Sequence, residues 1–235
     1  VLVGLTLAVF ILMRALPGGP FDFIGDKSLP PSVVANLERK YHLDEPIPQQ
    51  FVRYLWDLLH GDFGPSMRQK GRSVNEIIGA TFPVSAQLGI MSVALGLVIG
   101  IPAGIFAALR RNTMLDYSAT FVAVIGVAIP ALVLGPLLIW VCGVRLAVFP
   151  TALWGASRPF FLGFIPKPTV KFFTHAILPV VTLGTGLSAS ICRLTRASLL
   201  QVIREDYIRT ARSKGLRERA VVIRHALKNS LIPVV

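Results

Sequence analysis

Hydrophobic residues in this chain come in long runs set apart by polar stretches, rather than alternating with them. Positions 86–109 form an apolar run with no charge in its interior. An α-helix needs about 20 such residues to cross a bilayer, so this run predicts a span. Runs at 117–144 and 176–192 predict two more. Positions 1–16, apolar apart from Arg14 and stopped by Pro17, predict the outer part of a partial first span, and 229–235 the start of a fifth. Residue 1 lies inside an apolar run with no initiator Met before it, so the chain reads as truncated at both ends. The predicted fold is an all-α integral membrane protein, a polytopic helical bundle.

The segments between spans differ in kind. Region 17–85 reads as soluble, with short helices. Ser32 is placed to cap a helix bearing Val33, Leu37 and Tyr41. Pro46 and Pro48 separate it from a second helix with Phe51, Leu55, Leu58 and Leu59, which Gly61 and Gly64 end. Acidic and basic side chains nearly balance there, as in a translocated loop. Loop 110–116 opens with Arg110 and Arg111. In 193–228 basic residues far outnumber the acids Glu205, Asp206 and Glu218. The positive-inside rule puts both in the cytoplasm, leaving 17–85 and the proline- and aromatic-rich loop 145–175 outside. Loop 145–175 carries Arg145, Arg158, Lys167 and Lys171 without an acid, a departure from the rule outweighed by the more basic opposite face.

Composition fits. Hydrophobic residues make up 53%, charged residues 15%, and mean hydropathy is +0.65. A soluble domain carries about a quarter charged residues. The net charge of +12 suggests a nucleic-acid partner only until its location is considered: it sits beside the spans, where it sets orientation and meets lipid head groups. Cys142 and Cys192 lie in different apolar runs, which speaks against a disulfide. His42, His60, His175 and His225 show no metal-ligand spacing.

Within the spans, Gly96, Gly100 and Gly104 recur every four residues, share one helix face and predict close helix packing. Pro130 and Pro136 interrupt run 117–144 as functional hinge or passive kink. Thr182, Thr185, Ser188 and Ser190 give run 176–192 a small polar centre, whose hydroxyls either bond their own backbone or line a path.

The most informative stretch lies within 193–228. Ile203, Tyr207 and Ala211 fall on one helix face with Ile208 beside it, and Arg204, Arg209, Arg212 and Lys214 on others. Gly215 stands where a left-handed residue ends a helix, and Arg212 and Lys214 suit the negative end of its dipole. A second helix follows, striped by Leu216, Ala220, Ile223 and Leu227. Two short helices joined at a glycine turn make a knob for a groove on a cytoplasmic partner, or an interfacial helix lying on anionic lipid.

The run RTARSKGLRERAVVIRHALKNSLIPV resembles the cytoplasmic loop of binding-protein-dependent ABC importer permeases. Against the general pattern Glu-Ala-Ala-x3-Gly-x9-Ile-x-Leu-Pro, Ala211, Gly215 and Leu227 match, while Arg209, Thr210, His225 and Lys228 depart toward TARAKG and RHAL forms of the peptide branch. RALPGGPF, YHLDEPIPQQFVRYL and HGDFGPS extend the resemblance, to the oligopeptide members of that branch, over essentially the whole chain. It implies the type I importer permease fold in a bacterial inner (plasma) membrane. The implied function is a non-enzymatic permease subunit of an ATP-driven importer, with oligopeptides the favoured cargo and dipeptides or nickel the alternative. The implied partners are a related permease subunit in a heterodimer, two cytoplasmic ATPases that use ATP and Mg, and a periplasmic peptide-binding protein. No cofactor is implied for the chain itself. The implied ATPase-coupling element is Asp206, Tyr207, Ile208, Arg209, Thr210, Ala211, Arg212, Lys214, Gly215 and Leu216.

The residues agree with this division of labour. The sequence holds no G-x-x-x-x-G-K-[ST] phosphate cradle, so energy comes from a partner. A membrane-embedded enzyme needs ionisable groups at depth, and no predicted span interior has an Asp, Glu or His. An autonomous channel would conduct without an ATPase.

Overall fold

The computed structural model describes residues 1–15, 44–66, 69, 72–155, 160, 163 and 165–233. The Ser32-capped helix expected over 33–41 lies outside them. Among the described residues there is no strand; Pro65 and Ser73 form an isolated antiparallel bridge. The chain divides into two compact units, Val1–Phe82 and Pro83–Val235.

In the first unit, α1 (Leu2–Ala15) meets α2 (Ile47–Leu59) through aromatic rings. Phe10 lies 5.2 Å from Phe51 and 6.0 Å from Tyr54, ring centre to ring centre. Helix α2 starts after Pro46 and ends at Gly61, which takes φ +75°. Asn75 then clamps the returning chain: its Nδ2 donates to Gly61 O at 2.5 Å and its Oδ1 accepts from Phe63 N at 2.8 Å.

Helix α3 is Val74–Leu109, 36 residues or about 54 Å, so it outruns the hydrocarbon core. It begins twelve residues before the predicted apolar span. Ser73 Oγ accepts from Glu76 N at 3.1 Å, the first half of a capping box that lets the helix start in polar sequence.

The predicted run 117–144 is two helices. In the second unit α4 (Met114–Ala128) and α5 (Ala131–Leu138, continuing as a π-helix over Ile139–Arg145) meet at 96°. The cause is local: proline disfavours helical geometry in the residue before it, and Ile129 is extended at φ −83°, ψ 113°. Pro136 is absorbed inside α5. Among the described residues two helices are long and apolar enough to cross a membrane, or three spans if the bent pair counts as one.

The long central helix α6 (Val170–Val202, 33 residues) is capped by Thr169, whose Oγ1 accepts from Phe172 N at 3.1 Å. It meets its neighbours through glycines. A Cβ on Gly100 would lie 2.6 Å from Ser188 O, and one on Gly104 2.6 Å from Cys192 O. At Gly96 the nearest atom would be Leu187 Cβ at 3.1 Å. The approach is reciprocal, since a Cβ on Gly184 would lie 2.7 Å from Leu95 Cδ2. Gly126 of α4 faces Ala189 and Thr185, and Gly135 of α5 faces Thr182. The loop before α6 is pinned by Trp154, which donates to buried Gln87 Oε1 at 2.6 Å and stacks edge-on against Phe172 at 5.6 Å.

At Gly100 even a methyl group would meet backbone, which cannot rotate away. Gly100→Val therefore lowers the stability of the detergent-solubilised protein by about 1–3 kcal/mol, the usual range for overpacking. Gly89→Val, where nothing lies within 4 Å, leaves it unchanged. Thermal melts of the two variants check this.

Candidate functional site

Helix α7 (Asp206–Ser213) follows α6 after a tight corner at Ile203–Glu205. Asp206 lies in its first turn and Arg212 in its last, each the charge that suits that helix end. Ile208 is fully buried and Ala211 nearly so, and both belong to one buried cluster with Ala108 of α3, Leu199 of α6, and Val221 and Ala226 of the returning helix. Removing a buried isoleucine side chain costs about 2–5 kcal/mol, so Ile208 is the main anchor. Tyr207 is 40% exposed, and Ile203 belongs to the corner before the helix. The fully inward residues of the helix are therefore Ile208 and Ala211; Ile203 packs partly buried against the same cluster, and Tyr207 turns outward. The helix starts later than the pattern suggested, which rotates the face turned to the core.

The turn after α7 is closed by geometry and charge. Gly215 takes φ +75° and its N–H bonds Arg212 O at 2.9 Å. No atom lies within 4 Å of a Cβ built there, so the backbone angle, not space, selects glycine. Arg212 grips Glu218 across the turn with Nη2–Oε1 at 2.6 Å and Nε–Oε2 at 3.1 Å. That grip holds the Glu218 carboxyl below its ordinary pKa and raises that of Arg212.

The returning helix α8 runs from Glu218–Ala220 through a π-helical stretch, Val221–Ala226, to Leu227–Ser230. The wider π turn shifts the inward face to Val221, Val222 and Ala226, leaving Leu216 and Ile223 exposed. The expected stripe of Leu216, Ala220, Ile223 and Leu227 assumed an α period throughout. At its end, Asn229 Nδ2 donates to Tyr207 Oη at 2.9 Å, tying α8 back to the start of α7. Asp206, Arg209, Thr210, Lys214 and Leu216 stay on the exposed side.

Beside α7 lies a buried ion pair between residues eighty positions apart, which local patterning does not pair. Asp116, at the start of α4, is 1% exposed and accepts from Arg196 of α6 in fork geometry, at 2.6 Å from Nε and 2.8 Å from Nη2. Asn112 N donates to Asp116 Oδ2 at 3.0 Å from a left-handed turn, φ 62°. An acid opening an apolar run after two arginines was the available signal. Arg196 also borders an open cleft of about 580 Å³ lined by Arg111, Arg204, Glu205 and Asp206.

The small polar residues of α6 separate. Thr182 and Thr185 donate to Leu178 O and Val181 O at 2.7 and 2.6 Å and sit toward α4 and α5. Ser188 is buried against α3, and Ser190 is exposed on another face. Cys142 and Cys192 are both free thiols.

The family model described as binding-protein-dependent transport system inner membrane component matches residues 100–235, from the last turns of α3 through α8. The chain belongs to this family. It is 44% identical over 225 residues to the oligopeptide transport system permease protein OppB of Salmonella typhimurium, covering 96% of this chain and 68% of that protein. The same figures hold for OppB of Escherichia coli K12. Identity to the dipeptide transport system permease protein DppB of Bacillus subtilis is 39% over 231 residues, 98% of this chain and 69% of that protein. As an inner membrane component of such a transport system, the chain is a multi-pass protein of the bacterial inner membrane.

Two predictions follow from the charges. Glu218 has a depressed folded-state pKa, so its stabilising contribution is complete above the ordinary value of 4.5 and is lost as pH falls through the lower folded value. Hydrogen-exchange protection of the Arg212–Glu218 turn stays flat from neutral pH to 4.5 and drops below it. The pair is solvent-exposed, so the drop is under about 1 kcal/mol. Arg196→Gln strands a buried carboxylate and costs about 3 kcal/mol. Arg196→Lys rescues little of this, because an ammonium cannot supply the fork. Thermal melts in detergent separate these variants.

Proposed function

We propose that this chain is the transmembrane permease subunit of an ATP-driven, binding-protein-dependent importer of peptides, with oligopeptides the favoured cargo. It forms half of the translocation path beside a related permease subunit. Two cytoplasmic ATPases supply the energy from ATP and Mg, and an external peptide-binding protein delivers the cargo. The observation that carries this reading is the seating of α7. One face is locked by Ile208 and Ala211, its turn is gripped by Arg212 and Glu218, and the other face is presented to solvent.

Such a helix transmits force. A partner that engages Tyr207, Arg209, Thr210 and Lys214 pushes on a body continuous with the ends of α3 and α6, because Ile208 shares one buried cluster with Ala108 and Leu199. Closure of the ATPases then biases the spans between two arrangements, which is alternating access. Identity to oligopeptide permeases supports the cargo class, and the likeness to DppB supports dipeptides as the second reading.

The test is reconstitution of the full transporter in proteoliposomes. ATP-dependent uptake of a labelled oligopeptide requires this chain. Gly215→Pro cannot reach φ +75°, and it lowers uptake by about tenfold or more at unchanged membrane level. Gly215→Asn, which tolerates the left-handed region, keeps most of it. Full transport by the proline variant contradicts the coupling role.

A further inference from the structure

The break between α4 and α5 leaves main-chain groups without partners at membrane depth. Pro130 has no N–H, so it cannot bond Gly126 O, and the last backbone bond across the corner is Ile129 N to Ile125 O at 3.1 Å. The carbonyls of Gly126, Val127, Ala128 and Ile129 accept no hydrogen bond among the described residues. Beyond the corner, Val133 N and Leu134 N both bond Pro130 O, while the N–H groups of Ala131 and Leu132 have no partner among the described residues. The 96° turn carries α5 away from the line of α4, so neither helix caps the other.

The position makes this consequential. Helix α4 is 15 residues, about 22 Å, so its end falls within the about 30 Å hydrocarbon core when its first turn is at the surface. Unpartnered backbone does not face lipid at that depth; it is tolerated where it meets protein or lines a water-filled cavity. The facing surface of α6 is polar and small. Thr185 lies against Gly126, Thr182 against Gly135, and a Cβ on Gly186 would lie 3.8 Å from Gly126 O. Both threonine hydroxyls donate to their own helix, so neither satisfies the open carbonyls of the corner, and the methyl groups are what lie against Gly126 and Gly135.

We infer that the corner 126–132 is a contact site for the main chain of a peptide in transit, with the free carbonyls receiving peptide N–H or ammonium groups and the free N–H groups meeting peptide carbonyls. The inference rests on the peptide-import reading. It adds a reason for breadth of cargo: every peptide carries these groups whatever its side chains, so backbone-to-backbone contact binds without reading sequence. Unwound backbone at a helix break is a general way to build such a site inside a membrane.

The test uses the complete transporter in proteoliposomes, with Cys142→Ala and Cys192→Ala as background and uptake of labelled oligopeptide measured first. Failure of that uptake bears on the proposed function, not on the corner. With uptake intact, Ala128→Cys and Ile129→Cys are exposed to a membrane-impermeant methanethiosulfonate, with Phe121→Cys, on an outward face of α4, as the control. The expected result is labelling at 128 and 129 but not at 121, slowed about tenfold while peptide is being transported, the scale of a made hydrogen bond. Pro130→Ala, which restores an N–H for Gly126 O, lowers peptide uptake by a similar factor while ATP hydrolysis continues. No labelling at 128 and 129 overturns the site, and labelling that transported peptide does not slow overturns the contact.

Discussion

The structure of the second unit depends on how closely α3 and α6 approach. Between membrane helices apolar side chains gain nothing by leaving lipid, so association rests on van der Waals contact and on hydrogen bonds. Gly100 and Gly104 let the backbone of α3 lie directly on Ser188 and Cys192 of α6. That contact fixes α6, and α6 fixes the rest. Helix α4 rests on it through Gly126, α5 through Gly135, and the Trp154 loop through Phe172. Helix α7 sits where α3 and α6 end together, on Ala108 and Leu199.

This arrangement gives the two ends of the second unit different characters. Toward α7, the joints are strong: a buried isoleucine, a forked ion pair between Asp116 and Arg196, and a charged clasp across the Gly215 turn. Toward the α4–α5 corner, the backbone is open and its hydrogen-bonding groups are left for others. A lever needs the first and a permissive path needs the second. The two ends share α6, the element through which the proposed mechanism links them.

How much of this could be read beforehand depended on the range of the interaction. The four-residue recurrence of Gly96, Gly100 and Gly104 is visible as a shared face, and Gly215 as a turn, because both are local. The early start of α3 was also written in the chain, in Ser73 and Glu76, but hydropathy drew attention to the apolar run instead. Pro130 and Pro136 look alike in sequence, and the difference lies in the residue before each: Ile129 is extended, while Gly135 stays helical. The π-helical turn at Val221–Ala226 defeated the period used to place the inward stripe of α8. Asp116 and Arg196 lie eighty residues apart, and only the folded chain brings them together.

The claim at the centre is that force enters through the exposed side of α7. The most direct measurement places a cysteine at Thr210, in a chain lacking Cys142 and Cys192, and treats the complete transporter in native membranes with a short thiol-to-thiol cross-linker. The account predicts a covalent adduct between this chain and an ATPase subunit, formed in higher yield at one stage of the nucleotide cycle than at another. A residue 210 that reacts only with reagent from the opposite side of the membrane, or never joins an ATPase in any nucleotide state, contradicts it.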